Sequence, residues 1–170
     1  FCLHYFFADL KSLHAFITTV SNNLVTGGHF IATFPDRDVM SKAIIMDAKR
    51  KNENNLYTIS IRTQDIISRL FGAEYFFSCG TTVIRSKEYL VQTQELIRVA
   101  SEYGLTLVES ANFHDFFFWE CIASKNQYPS EATIPFTSIS SKEWDVVHLY
   151  RIIAFQKSNT QAPKSSNTSI

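Results

Sequence analysis

The stretch that decides the fold runs from Ala8 to Phe34, ADLKSLHAFITTVSNNLVTGGHFIATF. Leu10, Leu13, Phe16, Ile17, Val20 and Leu24 fall at the three- and four-residue steps of one helix face. Gly27-Gly28 follows the last apolar position and supplies a left-handed stop. HFIATF is then a short β-favouring run closed by Pro35. Helix followed by strand is therefore the local unit.

The same unit repeats downstream. Asp36 is a candidate N-cap for a helix through DVMSKAIIMDAKR, which ends in the polar KNENN. In LYTISIR, Tyr57, Ile59 and Ile61 alternate with Thr58 and Ser60, the pattern of a strand. FGAEYFFSCGTTV is β-like and broken by Gly72 and Gly80, and EYLVQTQELIRVASEYG reads as a helix stopped by Gly104. LTLVES is a strand, FHDFFFWECIAS a short helix, YPSEATIPFTS a Pro-containing loop and DVVHLYRIIAFQK a final strand. The alternation predicts an α/β layered sheet with parallel strands at the crossovers. The opening FCLHYFF reads as the end of a buried strand with no partner before it, which leaves a sheet edge uncovered.

The 170 residues suit one domain with a sizeable core, predicted over 1–157; SNTQAPKSSNTSI, from Ser158 to Ile170, has the composition of a disordered polar tail. Sixteen basic residues balance sixteen acidic ones, so no global field steers the chain toward a polyanion, and any nucleic acid has to be recognised locally. Cys2, Cys79 and Cys121 form no CxxC pair, and the histidines lack ligand spacing, so neither a metal site nor a disulfide framework is expected. No run is long enough to cross a bilayer and no signal segment opens the chain, so no membrane partner is expected. No GxGxxG loop is present either. Aromatic residues reach 14%, enough for some rings to line a pocket.

The segments FCLHY, SNNLVTGGHFIATFPD, FGAEYFF, KEYLV and SKEWDVVHLYRIIAFQK occur in the order, and at about the spacing, of messenger RNA cap guanine-N7 methyltransferases. The chain resembles that family up to about Lys157. The resemblance implies a Rossmann-like class I S-adenosylmethionine-dependent methyltransferase fold, of which this chain carries the later strands and helices only. It implies S-adenosylmethionine as cofactor, bound mostly by residues upstream, with Phe1 and Tyr5 adjacent to it. It implies capped RNA as substrate, and the remainder of the methyltransferase domain, or a larger capping enzyme, as partner. Cellular members of the family are nuclear and viral ones work in cytoplasmic factories; the sequence has no clear nuclear-import run, so location stays open between these.

The chemistry explains what is missing. N7 of guanine is an unprotonated in-plane lone pair, so transfer needs alignment with the methyl carbon and no general base. A Ser-His-Asp set or a close carboxylate pair is accordingly absent, and no residue is assigned a catalytic role beyond positioning. Guanine offers two donors on one edge, which match the two oxygens of a carboxylate. The resemblance maps that acceptor onto Glu88; from local sequence alone, Glu88 also reads as an exposed acid in a first helical turn. It maps Phe1, His4 and Tyr5 to the mouth of the base pocket, and Pro35, Phe77 and Tyr150 to further pocket positions. Ordinary core packing is the alternative for Phe1, His4, Phe77 and Tyr150, and a common strand-ending proline is the alternative for Pro35. Lys49, Arg50 and Lys51 read as a solvated basic run, with RNA phosphate contact as the other option. The competing functional class is a non-catalytic, methyltransferase-like subunit that stimulates a capping enzyme; a methyltransferase for another base or small molecule is a third reading.

Overall fold

The computed structural model describes residues 2–47, 56–61, 64–127 and 139–159. The decisive stretch folds as its pattern dictates. Asp9 accepts a hydrogen bond from the Ser12 N–H at 2.7 Å and starts helix α1 (Leu10–Asn23), whose Leu13 and Ile17 are wholly buried. Strand β1 (His29–Pro35) follows the Gly27-Gly28 turn. Helix α2 (Arg37–Asp47) starts at Asp36, which accepts from the Asp38 N–H with its carboxylate and from the Met40 N–H with its carbonyl.

Strands β2 (Tyr57–Ile61), β3 (Glu74–Cys79) and β4 (Val83–Tyr89) form an antiparallel sheet, with the β3–β4 hairpin turning at Gly80 in the left-handed region (φ 53°). Helix α3 (Thr93–Glu102), strand β5 (Leu105–Asn112), helix α4 (Phe113–Gln127), helix α5 (Ser141–His148) and strand β6 (Tyr150–Lys157) complete the chain. The second sheet has the order β1-β6-β5.

Four expectations are corrected. The opening aromatic run is a 3₁₀ helix over Leu3–Ala8 and not a strand. Leu3, His4 and Phe7 are its buried residues, and an adjacent buried pair followed by a three-residue step fits a turn of helix and not the two-residue alternation of a strand. Every strand pair among the described residues is antiparallel, where crossovers predicted parallel neighbours. β1 and β5 do run the same way, but β6 lies between them, antiparallel to both. The helix expected to begin at Glu88 begins at Thr93; Glu88 and Tyr89 instead close β4, opposite Tyr75 and Glu74. The final apolar run is split: Ser140 and Glu143 form a reciprocal capping box that starts α5, and β6 begins only at Tyr150.

Two apolar cores result. α1, α3 and the 3₁₀ helix pack on the β1-β6-β5 sheet through Phe7, Leu13, Ile17, Phe34, Leu96, Ile153 and Phe155. Met40, Ile44, Ile59, Ile66, Tyr75, Phe77 and Leu149 form the other. Each such side chain taken out of water contributes about 1.5–3 kcal/mol before ordering costs. The outer edge of β1 pairs with no described strand; Ile31 there is 64% exposed, beside a cavity of about 200 Å³ lined by Cys2, Phe16, Phe30 and Ala32. Ser158 is tied to the Gly104 carbonyl, while Phe1, the basic run Lys49–Lys51 and the tail from 160 lie outside the described residues.

Candidate functional site

β4 carries the site because alternation turns Ser86 and Glu88 to the same face as Tyr75 and Phe77 of β3. Glu88 is 6% exposed. Its Oε2 accepts the Tyr75 hydroxyl proton at 2.6 Å. The 3₁₀ helix closes over this face: His4 Nε2 stands 3.8 Å from Glu88 Oε2, and the Tyr5 hydroxyl is 3.1 Å from Ser86 Oγ. The His4 and Tyr5 rings lie 4.2 Å apart, His4 buried and Tyr5 45% exposed, so Tyr5 sits at the solvent side of the group.

The electrostatics are unusual for a buried cluster. Burial raises the Glu88 pKa, against the opposing pull of its hydrogen bonds to Tyr75 and Ser86. Burial also lowers His4 to about 4, so its imidazole is neutral at physiological pH. Tyr75 is pushed well up by burial and by the Glu88 charge, and Tyr150 rises to about 12 for the same two reasons. Both His4 ring nitrogens are buried with no hydrogen-bond partner; the other such atoms among the described side chains are Arg37 Nη1 and Ser41 Oγ, one turn apart on α2. A carboxylate without a cation, an unpartnered neutral imidazole and two phenols make a surface for a planar ligand that offers N–H donors and takes a donor in return.

Of the residues singled out in the sequence, the structure gathers His4, Tyr5 and Glu88 into direct contact. Tyr150 reaches the group through the electrostatic coupling of its hydroxyl to Glu88 and Tyr75, and Pro35 is its register partner across β1 and β6. Phe77 is 4% exposed, packed among Ile59, Tyr57 and Tyr75 in the core, and borders the site through its register partner Ser86. Phe1 lies outside the described residues. Sequence reasoning missed Tyr75, although two-residue alternation from Phe77 puts it on the same face. Among the described residues, no group of three or more His, Cys, Asp or Glu could hold a metal, and no helix is long and apolar enough to cross a membrane.

Fold and site together define a mixed α/β domain with a buried polar cluster, His4, Tyr75 and Glu88, at the open end of an antiparallel hairpin. The chain belongs to the mRNA (guanine-N(7))-methyltransferase domain family, which matches residues 1–158. Relatives include the mRNA cap guanine-N(7) methyltransferases of Cryptococcus neoformans var. neoformans serotype D (28% identical, 92% of this chain, 23% of the relative) and Candida glabrata (26%, 92% and 42%). The Candida albicans enzyme of the same name is 32% identical over 69% of this chain and 27% of its own length. The chain thus spans between about a quarter and two fifths of the length of these relatives. Membership implies S-adenosylmethionine in general terms as the methyl donor.

Proposed function

We propose that this chain supplies the acceptor half of a cap guanine-N7 methyltransferase, with guanine of GpppN-RNA held by Glu88, His4 and Tyr5, and with Pro35, Phe77 and Tyr150 bounding the pocket. The observation that carries this reading is the buried pair His4–Glu88: two polar groups 3.8 Å apart, the carboxylate with no Lys or Arg partner among the described residues and both imidazole nitrogens without a hydrogen-bond partner. Leaving a buried polar group such as the His4 imidazole unpaired costs about 1–3 kcal/mol, a cost that a ligand removes.

In this reading the Glu88 oxygens accept from the N1–H and 2-amino groups of guanine, and the neutral imidazole of His4 donates to O6. The Tyr5 ring covers one face at the open side of the pocket. Held so, N7 keeps its lone pair free for the methyl carbon, and no group of the chain has to remove a proton. When bound, S-adenosylmethionine supplies the methyl group. The donors and acceptors described above suit the base.

Titrating the full-length protein with the cap dinucleotide GpppA and, separately, with S-adenosylmethionine tests this. Glu88→Gln puts an amide donor against a donor edge and loses a charge-assisted acceptor worth about 1.5–3 kcal/mol, so Kd for GpppA rises about 10- to 100-fold. S-adenosylmethionine affinity stays put. Equal loss of both ligands would remove Glu88 from the cap pocket.

A further inference from the structure

A second buried polar cluster lies at the other end of the Pro35–Tyr150 pair, and its centre is Asn112, the last residue of β5, 5% exposed. Its Nδ2 donates to Asp36 Oδ2 at 3.1 Å and to the His148 carbonyl at 2.9 Å. Its Oδ1 accepts from the His114 N–H at 3.0 Å and from His148 Nδ1 at 3.1 Å. The partners fix the amide's orientation: a carboxylate and a carbonyl can only accept, and a backbone N–H can only donate. It follows that the proton of His148 sits on Nδ1. All four hydrogen bonds open to an amide are made, and they join the ends of β1, β5 and α5 to the start of α4.

The cluster grips the backbone on both sides of the pocket pair. Asp36, directly after Pro35, donates its N–H to the Leu149 carbonyl at 2.7 Å, and Leu149 directly precedes Tyr150. Asp36 Oδ2 also receives Nε and Nη2 of Arg151, directly after Tyr150, at 3.1 and 3.0 Å. Arg151 Nη1 is held by Ser110 Oγ of β5. Pro35 and Tyr150 are therefore flanked on both strands by residues that answer to Asn112 and Asp36, while the Tyr150 hydroxyl feels the Glu88 charge.

We infer that Asn112 is a positioning residue for the cap pocket: by tying Asp36 to His148 it sets where Pro35 and Tyr150 stand against Glu88, and so sets affinity for the base. The inference rests on the cap-binding reading above. Asn112→Asp keeps the acceptor and abolishes both Nδ2 donations, placing a second carboxylate beside Asp36. Steady-state methylation of GpppA by the full-length protein should show KM for GpppA raised about tenfold, since a small misplacement of a bound reactant has effects of this size. KM for S-adenosylmethionine should not move. The exchange variant Asp36→Asn/Asn112→Asp restores one amide and one carboxylate across the same gap and should recover part of the lost KM; a scaffold-only role predicts no such recovery in KM. If Asn112→Asp does not fold, Asn112→Ser, which adds no charge, is measured in its place with the same expectation. An unchanged KM for GpppA in a folded variant, or a parallel rise in both KM values, overturns the inference while wild-type turnover keeps the cap reading. Wild-type protein that neither binds nor methylates GpppA overturns both.

Discussion

Two carboxylates in this chain are almost equally buried and live in opposite company. Asp36, 2% exposed, meets a guanidinium, a primary amide and a backbone N–H. Glu88, 6% exposed, meets a phenol, the Ser86 side chain and a neutral imidazole. Burial alone thus says nothing about role. A buried charge that the fold itself satisfies is part of the framework, whereas a buried charge left without a cation among the described residues, beside an unpartnered histidine, is the feature on which the cap-binding proposal rests. The Asp36 cluster adjoins the Pro35–Tyr150 pair, so in the proposed reading the rigid cluster holds a wall of the cap site.

The comparison breaks most visibly if Asp36 is removed. Asp36→Ala leaves Arg151 facing a vacant carboxylate position, frees one Asn112 donor and uncaps α2, and should cost about 3 kcal/mol or more. Urea unfolding with an unchanged m-value reads this as a lower midpoint. Glu88→Gln, at equal depth, should leave stability within about 0.5 kcal/mol of wild type or raise it, because the protein disfavours the charge it removes. Equal destabilisation by the two changes would erase the distinction.

Acid sharpens it. With His4 lowered from 6.5 to about 4, the unfolded chain takes up a proton in that window that the folded chain refuses. Stability from this group is therefore whole above pH 6.5 and falls by up to about 1.4 kcal/mol per unit as pH drops toward 4. Glu88 acts in the opposite sense: its raised folded pKa means that the folded state gains its proton first, which relieves the buried charge as pH falls. Measured as a difference from wild type, His4→Phe should remove the loss between pH 6.5 and 4. Parallel stability curves for the two proteins would mean that His4 is not buried as a neutral ring.

Much of the framework was legible in the sequence. α1, its Gly-rich stop, β1 and the Asp36 cap follow from apolar spacing and one short polar side chain. The capping box of α5 was also there to be read, Ser140 followed three residues later by Glu143, but the apolar run VVHLY outweighed it. Glu88 was misassigned to a helix because EYLV and the true helix form one uninterrupted run, and only pairing with β3 stops the strand at Tyr89. His4, Tyr5 and Glu88 came from family resemblance; no local pattern unites residues 81 or more apart. The Asn112 cluster was invisible for the same reason: Asp36 lies 76 residues from Asn112 and 115 from Arg151, and only the insertion of β6 between β1 and β5 brings them together.

The smallest stability effect separates ring from hydroxyl at the mouth of the site. Tyr5 is 45% exposed and its hydroxyl contact to Ser86 Oγ is open to water, so Tyr5→Phe should shift stability by no more than about 0.5 kcal/mol. If the ring covers a face of guanine, Tyr5→Phe also keeps GpppA affinity, whereas Tyr5→Ala loses the roughly 1–3 kcal/mol that stacking a base on an aromatic contributes. Loss of affinity in Tyr5→Phe would shift the role from the ring to the hydroxyl and its bond to Ser86. The outcome bears on the contrast between the two clusters, because an exposed aromatic that matters to ligand and not to folding is what a site assembled for a partner requires, and a framework residue would show the reverse.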